Sequence, residues 1–213
     1  MSYITVKNEA AAEYIEKRSR FIATCAPVKT VKEATDFIDA LRKKYWDATH
    51  NVYAYSVKSE GVKRFSDDGE PQGTAGMPVL DVLEKTGVTD CVIVVTRYFG
   101  GVLLGTGGLV RAYSKSAKLG LTAAGLIEMR ECTAFTIACD YSFYGRIEAY
   151  IRENGGQIDD TRFAENIEID FTLENTKKDR FLKNLTDVTL GRFTPVEKNE
   201  LYKAFPLELQ DDE

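Results

Sequence analysis

Four basic residues bracket the part of this chain with the most evident chemistry: Arg97, Arg111, Lys115 and Lys118. Arg97-Tyr98-Phe99 closes an apolar run. Gly100, Gly101, Gly105, Gly107 and Gly108 follow within nine residues, with Thr106 among them. Glycine loses more backbone entropy on folding than any other residue, so such a cluster marks a tight bend or a close approach. If the cluster joins a strand to a helix, the first helical N–H groups lack partners and carry a partial positive charge. Bare glycine backbone lets an anion reach them. Arg111, Lys115 and Lys118 stand at i, i+4 and i+7, one face of the helix that follows. With Tyr98 and Phe99 alongside, the set suits phosphate groups and, through base stacking, single-stranded RNA. The plainer alternative is that the glycines only permit tight strand-to-helix packing and the lysines are a solvated face. The known phosphate loops do not match. Thr106 stands where G-x-x-x-x-G-K-[ST] needs lysine, and Val110 where G-x-G-x-x-G needs its last glycine.

A second group lies in "FSDDGEPQGTAGMP". Asp67, Asp68 and Glu70 put three carboxylates within four residues. They could bind a hard cation or work as acid and base. They could equally form a structured turn, with Thr74 as the N-cap of the next helix, or hold Arg97 or Arg111 by ion pairing. No metal site is expected, because ligands from distant segments are not visible. His50 is the only histidine, and beside Trp46 it reads as a packed or hydrogen-bonded residue. A nucleophile pair of Cys25 with His50 is conceivable, but nothing in the sequence brings them together. No catalytic residue and no cofactor is assigned.

The elements that must position these residues are legible by periodicity. "SRFIATCAPV" reads as a strand. "TVKEATDFIDALRKKY" reads as a helix, with Thr30 and Glu33 as a capping box. "NVYAYSVKS" is a strand, followed by a polar loop from Arg64. "MPVLDVLEKTG" is a helix ending at Gly87. "DCVIVVTRYF" is a buried central strand, and a helix runs from about Thr106 to Ala124 with Gly125 as its stop. From about residue 131 the pattern is βαββαβ, a split βαβ unit. Its first strand places Phe135, Ile137, Cys139 and Tyr141 on one face. Thr176 is expected to cap its second helix, and Gly191 to end it. The reading is α+β with two domains, residues 1–130 and 131–213, joined near Leu126–Glu131. The tail "LELQDDE" is expected to fray.

The 213 residues are 44% hydrophobic and 29% charged, with a net charge of −5, as in soluble globular proteins. A generally basic nucleic-acid binder is excluded, and any such surface must be a local patch. No apolar run approaches the ~20 residues of a membrane span, and the N-terminal stretch lacks the apolar core of a signal peptide. The four cysteines form no C-x-x-C pair and read as buried reduced thiols, which suits a cytoplasmic location.

"FSDDGEPQGTAGMPVLDVL" together with "VIVVTRYFGGVLLGTGGLVRAYSKSA" resembles the signature of the YigZ/IMPACT family, bacterial two-domain type. The resemblance covers nearly the whole chain. It implies an N-terminal α+β fold like that of a small-subunit ribosomal protein, the RNase P protein and the fourth domain of elongation factor G. It implies a C-terminal ferredoxin-like domain similar to the fifth domain of that factor. Eukaryotic relatives act in translational control through an added partner-binding domain that this sequence lacks, so that role is not carried over directly. The resemblance points to RNA or ribosome association, or to a protein partner. The proline dipeptidase label borne by some relatives finds no support here, because the histidines and spaced carboxylates of a two-metal peptidase are missing. "LLGTGGLVRAYSKSA" is also distantly similar to the phosphate loop of small-molecule kinases, without their paired serines. An RNA- or ribosome-associated binding protein with a part in translation regulation is therefore the first expectation. An enzyme acting on a small molecule or phosphate through the acidic and glycine loops is the second.

Overall fold

The computed structural model describes residues 2–207. The chain is mixed α+β and divides into two compact units, one built on Tyr3–Glu128 and the other on Met129–Ala204. From residue 208 onward the tail expected to fray lies outside the described residues.

In the first unit the order is β1 (Tyr3–Val6), β2 (Ala10–Glu16), β3 (Ser19–Pro27), α1 (Val31–Lys44), β4 (His50–Val57), β5 (Val62–Ser66), α2 (Gly76–Lys85), β6 (Cys91–Tyr98) and α3 (Gly105–Ala124). Five strands form an antiparallel sheet in the order β2-β3-β6-β4-β5. β6 sits in the middle, which is why Cys91–Val95 is a continuous apolar run with no exposure on either face. Phe21, Ala23, Ile93 and Val95 turn one face toward α2 and α3. Tyr55, Val57, Val92 and Val94 turn the other toward Ala34, Ile38 and Leu41 of α1.

Local signals set the helix ends. The Glu33 N–H donates to Thr30 Oγ1 at 3.1 Å, as the capping box requires, while the Glu33 carboxylate reaches the Lys29 N–H rather than that of Thr30. α2 closes with Gly87 left-handed (φ +67°), Val88 N–H bonding Leu83 O and Gly87 N–H bonding Glu84 O. Gly120 lets α3 lie directly on β3. A Cβ there would come within 2.8 Å of Cys25 Sγ.

The second unit runs β7 (Leu126–Cys139), α4 (Tyr141–Glu153), β8 (Gln157–Phe163), β9 (Ile167–Glu174), α5 (Lys178–Val188) and β10 (Val196–Leu207). This is the βαββαβ order, with β7 between β10 and β9 and β8 outermost. Its core is Phe135, Ile137, Ile147, Ile151, Ile169, Phe171, Phe181 and Leu185.

Several local expectations are corrected. The N-terminal strands β1 and β2 were not foreseen, and β5 occupies the start of what reads as a polar loop. The join expected near Leu126–Glu131 contains the division between the two units, after Glu128, and is itself strand, the opening of β7. Tyr141 starts α4 and is exposed, since Asp140 caps that helix through the Phe143 N–H. Thr176 lies in a short 3₁₀ turn and donates to Glu174, so it does not cap α5. At the end of α5 Gly191 is left-handed (φ +71°) as a helix stop requires, its N–H bonding Thr186 O, and Leu190 before it is left-handed as well (φ +53°).

Candidate functional site

Sheet register brings the site together. Phe21 of β3 and His50 of β4 are both paired opposite Arg97 on β6. Paired residues project to the same face, so the three side chains stand in a row. Arg97 follows Ile93 and Val95 by two-residue steps and therefore points to their side, into the core. It is 5% exposed. A guanidinium there needs a buried carboxylate, and Glu70 supplies it from the loop before α2. Arg97 Nη1 donates to Glu70 Oε1, and Tyr113 of α3 donates to the same oxygen at 2.7 Å. Burial, and then the Glu70 carboxylate, push the Tyr113 hydroxyl far above the usual tyrosine range. The Arg97 plane also lies 5.4 Å from the Phe21 ring and 5.5 Å from the Phe99 ring. Its Nε has no hydrogen-bond partner among the described residues. A buried donor left this way costs about 1–3 kcal/mol.

Each of the other carboxylates has its own task. Asp67 accepts the N–H groups of Gly73, Ala75 and Gly76 at 2.9, 3.1 and 2.8 Å, and so caps α2 from eight and nine residues upstream. Thr74 is therefore not the cap. Its hydroxyl donates to Pro71 O, and the N-cap position is Ala75. Asp68 accepts from Arg42 Nη2 and from the Asn51 N–H, both at 2.7 Å. Its carbonyl oxygen lies 2.8 Å from His50 Nδ1. Asp67, Asp68 and Glu70 thus accept bonds from protein donors, and the pairing of the acidic loop with Arg97 is realised.

The glycines divide by role. A Cβ on Gly100 would sit 2.1 Å from the Arg18 carbonyl carbon, so this position packs backbone on backbone against the β2–β3 turn. Gly105 adopts φ +69° with open space around it. There α3 begins without a side-chain cap and without an acidic residue in its first turn. Gly105 and Thr106 line a cleft of about 430 Å³, within the range of ligand sites. Gly105, Thr106 and Leu109 form one side of it, Thr49, His50, Glu70 and Arg97 another, and Phe99, Leu103 and Leu104 an apolar edge. Leu103 is 83% exposed.

The basic stripe is placed less evenly than the spacing suggests. Arg111 is exposed, has no partner among the described residues, and folds back toward Gly107, whose Cβ position lies 3.5 Å from Arg111 Nη1. Lys118 is exposed and without a partner among the described residues. Lys115 lies over the Tyr14 ring at 4.5 Å. Tyr98 turns away from the cleft and donates to Asp47, while Phe99 stays on its edge. So the structure gathers Phe99, Gly105, Thr106, Glu70 and Arg97 at one cleft, with Arg111 and Lys118 further along the helix. Arg97 is withdrawn from solvent. Cys25 pairs opposite Ile93, four residues along β3 from Phe21, and burial pushes its thiol up to about 12, so it is no partner for His50. Sequence reasoning underweighted His50, Thr49 and Tyr113. The one available signal was Arg97's place in the alternation of β6.

The chain is similar to known proteins over most of its length. A sequence model described as the Impact N-terminal domain matches residues 17–121, and one described as a domain of unknown function (DUF1949) matches 137–192. The IMPACT family member YvyE of Bacillus subtilis is 39% identical over 201 residues, 94% of this chain and 92% of its own. This chain belongs to the IMPACT family. The family member YigZ of Escherichia coli is 35% identical over 82% of the chain and 87% of its own length. Protein IMPACT of Homo sapiens is 38% identical over 94 residues, 42% of this chain and 29% of that one. A crystal structure titled a hypothetical protein superposes with a TM-score of 0.58 at 32% identity, covering 92% of this chain and 96% of its own. The match to the human protein is confined to a short part of both chains. Both candidate loops of this IMPACT-family chain lie within the matched Impact N-terminal domain. No helix among the described residues is long and apolar enough to cross a membrane.

Proposed function

We propose that the first domain binds phosphate-rich single-stranded RNA at this cleft, and that the protein works as an RNA- or ribosome-associated factor in translation. The observation that carries the reading is the uncapped N-terminus of α3, open on the cleft, with unpaired Arg111 one turn further along. The N–H groups of Gly105 to Gly107 hold one phosphate, helped by the helix dipole. Arg111 and Lys118 neutralise those that follow, and Phe99 stacks a base. Arg97 supports this surface from beneath by fixing Glu70 and Phe99. Buried reduced thiols and the acidic net charge fit a cytoplasmic protein with one local basic strip.

Binding to a single-stranded RNA, titrated at several salt concentrations, tests the reading. Arg111→Glu is expected to weaken binding and to reduce the slope of log K against log salt by about 0.7 for each phosphate that is no longer neutralised. An unchanged slope places the site elsewhere.

A second reading, an enzyme using both loops on a phosphate ester, is favoured by the concave shape of the cleft and by His50 and Glu70 on its wall. Release of inorganic phosphate from nucleotides, abolished by His50→Ala, would support it.

A further inference from the structure

One wall of the cleft carries hydrogen-bonding capacity that the chain does not use. His50 Nδ1 lies 2.8 Å from a carbonyl oxygen, which can only accept. Nδ1 therefore carries the hydrogen, and in the neutral ring Nε2 is a bare acceptor. Glu70 Oε1, 3.8 Å from Nε2, is out of hydrogen-bond reach. The Glu70 side chain is 3% exposed. Its Oε1 is taken by Arg97 and Tyr113, while Oε2 accepts from nothing among the described residues and is not one of the fully sealed atoms. Glu70 Oε2, and His50 Nε2 when the ring is neutral, are thus spare acceptors on two residues that line the cleft. Elsewhere on the same cleft, the start of α3 offers backbone donors. A ligand that satisfies both must bring a donor at one end and an anion at the other.

We infer that the cleft takes a ribonucleotide unit, its sugar hydroxyl donating to His50 Nε2 beside Glu70 and its phosphate lying at the N-terminus of α3, so that the protein selects RNA over DNA. The inference rests on the RNA reading above and adds the group that is recognised. Internal sugars of an RNA strand each carry a 2′-hydroxyl, and those of DNA carry none. DNA would leave that acceptor unpaired, and sites built on such groups reject the analogue that lacks the donor. A base amine could also donate, but DNA has the same amines, so they create no sugar preference. Phe99 and Leu103 give the base an apolar edge.

The test uses the full chain and fluorescence anisotropy with one single-stranded sequence made as RNA, as DNA and as 2′-O-methyl RNA. RNA is expected to bind about tenfold or more tighter than the other two. His50→Ala is expected to lower RNA binding to the DNA level without changing DNA binding. His50→Gln, whose amide oxygen can accept, is expected to retain part of the preference. Uridine 5′-monophosphate as competitor separates the sources. Displacement of RNA means the cleft takes a free ribonucleotide, and no displacement means it needs the strand; the hydroxyl preference is expected in either case. Equal binding of all three strands, each weakened by Arg111→Glu, overturns the hydroxyl inference and leaves the phosphate reading standing. Equal binding of RNA and its methylated form overturns it too, and needs no variant to fold. His50→Ala weakening RNA and DNA by the same factor does the same. No binding of any strand overturns both.

Discussion

Arg97 and Arg162 both stand on sheet strands among carboxylates, one in each domain, and their surroundings give them opposite characters. Arg162 on β8 is 46% exposed and meets Asp160, Glu168 and Asp170 together. Hydrogen bonding, first to Asp170 and then to Glu168 and Asp160, holds its guanidinium even more firmly charged than usual. The Arg97 side chain is 6% exposed, has one carboxylate, shares it with Tyr113 and keeps an orphan Nε. Water screens and rearranges around the first cluster, so its many partners contribute little. Around the second, each missing or surplus hydrogen bond is felt in full. The comparison teaches that leftover valence in a buried cluster points to a ligand, whereas a surplus of partners on a surface does not.

The largest expected break in that contrast is Glu70→Ala. It strands the Arg97 charge in the core, and removing one partner of a buried pair costs about 3–5 kcal/mol. Urea unfolding should show a large fall in midpoint, against a much smaller one for Arg162→Ala, whose ion pairs are screened by water. Equal effects for the two variants would mean that Arg97 finds water or another partner and is not held by Glu70.

How much of this was visible in the sequence follows the range of each interaction. The Thr30–Glu33 cap and the βαββαβ order depend on neighbours three or four residues away, and both were legible. β2, "AAAEYIE", was not. Alanine and glutamate favour helix, and only pairing with β3 holds this edge segment extended. β5 failed for the same reason, being largely exposed and tied to β4. The paired role of the acidic loop with Arg97 could be raised as an idea, since an arginine two residues beyond Val95 on a core-facing stripe needs an anion. The place of His50 could not, because it depends on the register that sets β4 against β6 across 47 residues of sequence.

Asp67→Ala sharpens the comparison at the next level down. Three backbone N–H groups at the start of α2 lose their acceptor, and loss of a helix cap costs about 1–2 kcal/mol. Thr74→Ala removes only a hydroxyl bonded to Pro71 O and should cost clearly less by the same urea titration. If Thr74→Ala proved the more damaging, Asp67 would not be the effective cap.

The smallest expected effect lies on the exposed side of the comparison. Asp170 is held below the usual carboxylate range, first by hydrogen bonding from Arg162 and then by Thr136, against a smaller opposing effect of burial. A depressed folded value means that its contribution to stability is present above the ordinary aspartate pKa of about 3.9 and is lost as pH falls through the lower folded value. Arg162→Ala should therefore raise the Asp170 titration midpoint, followed by NMR of the carboxyl carbon. The rise should stop short of the unfolded value, because Thr136 Oγ1 still donates to Oδ1. Thr136→Val in the Arg162→Ala background should remove the remaining depression and let burial dominate. At neutral pH both changes should shift stability far less than Glu70→Ala, since the side chain of Asp170 is 31% exposed and the pair is screened. A loss of several kcal/mol there would show that the surface cluster is as tightly coupled as the buried one, and the distinction between the two arginines would fail.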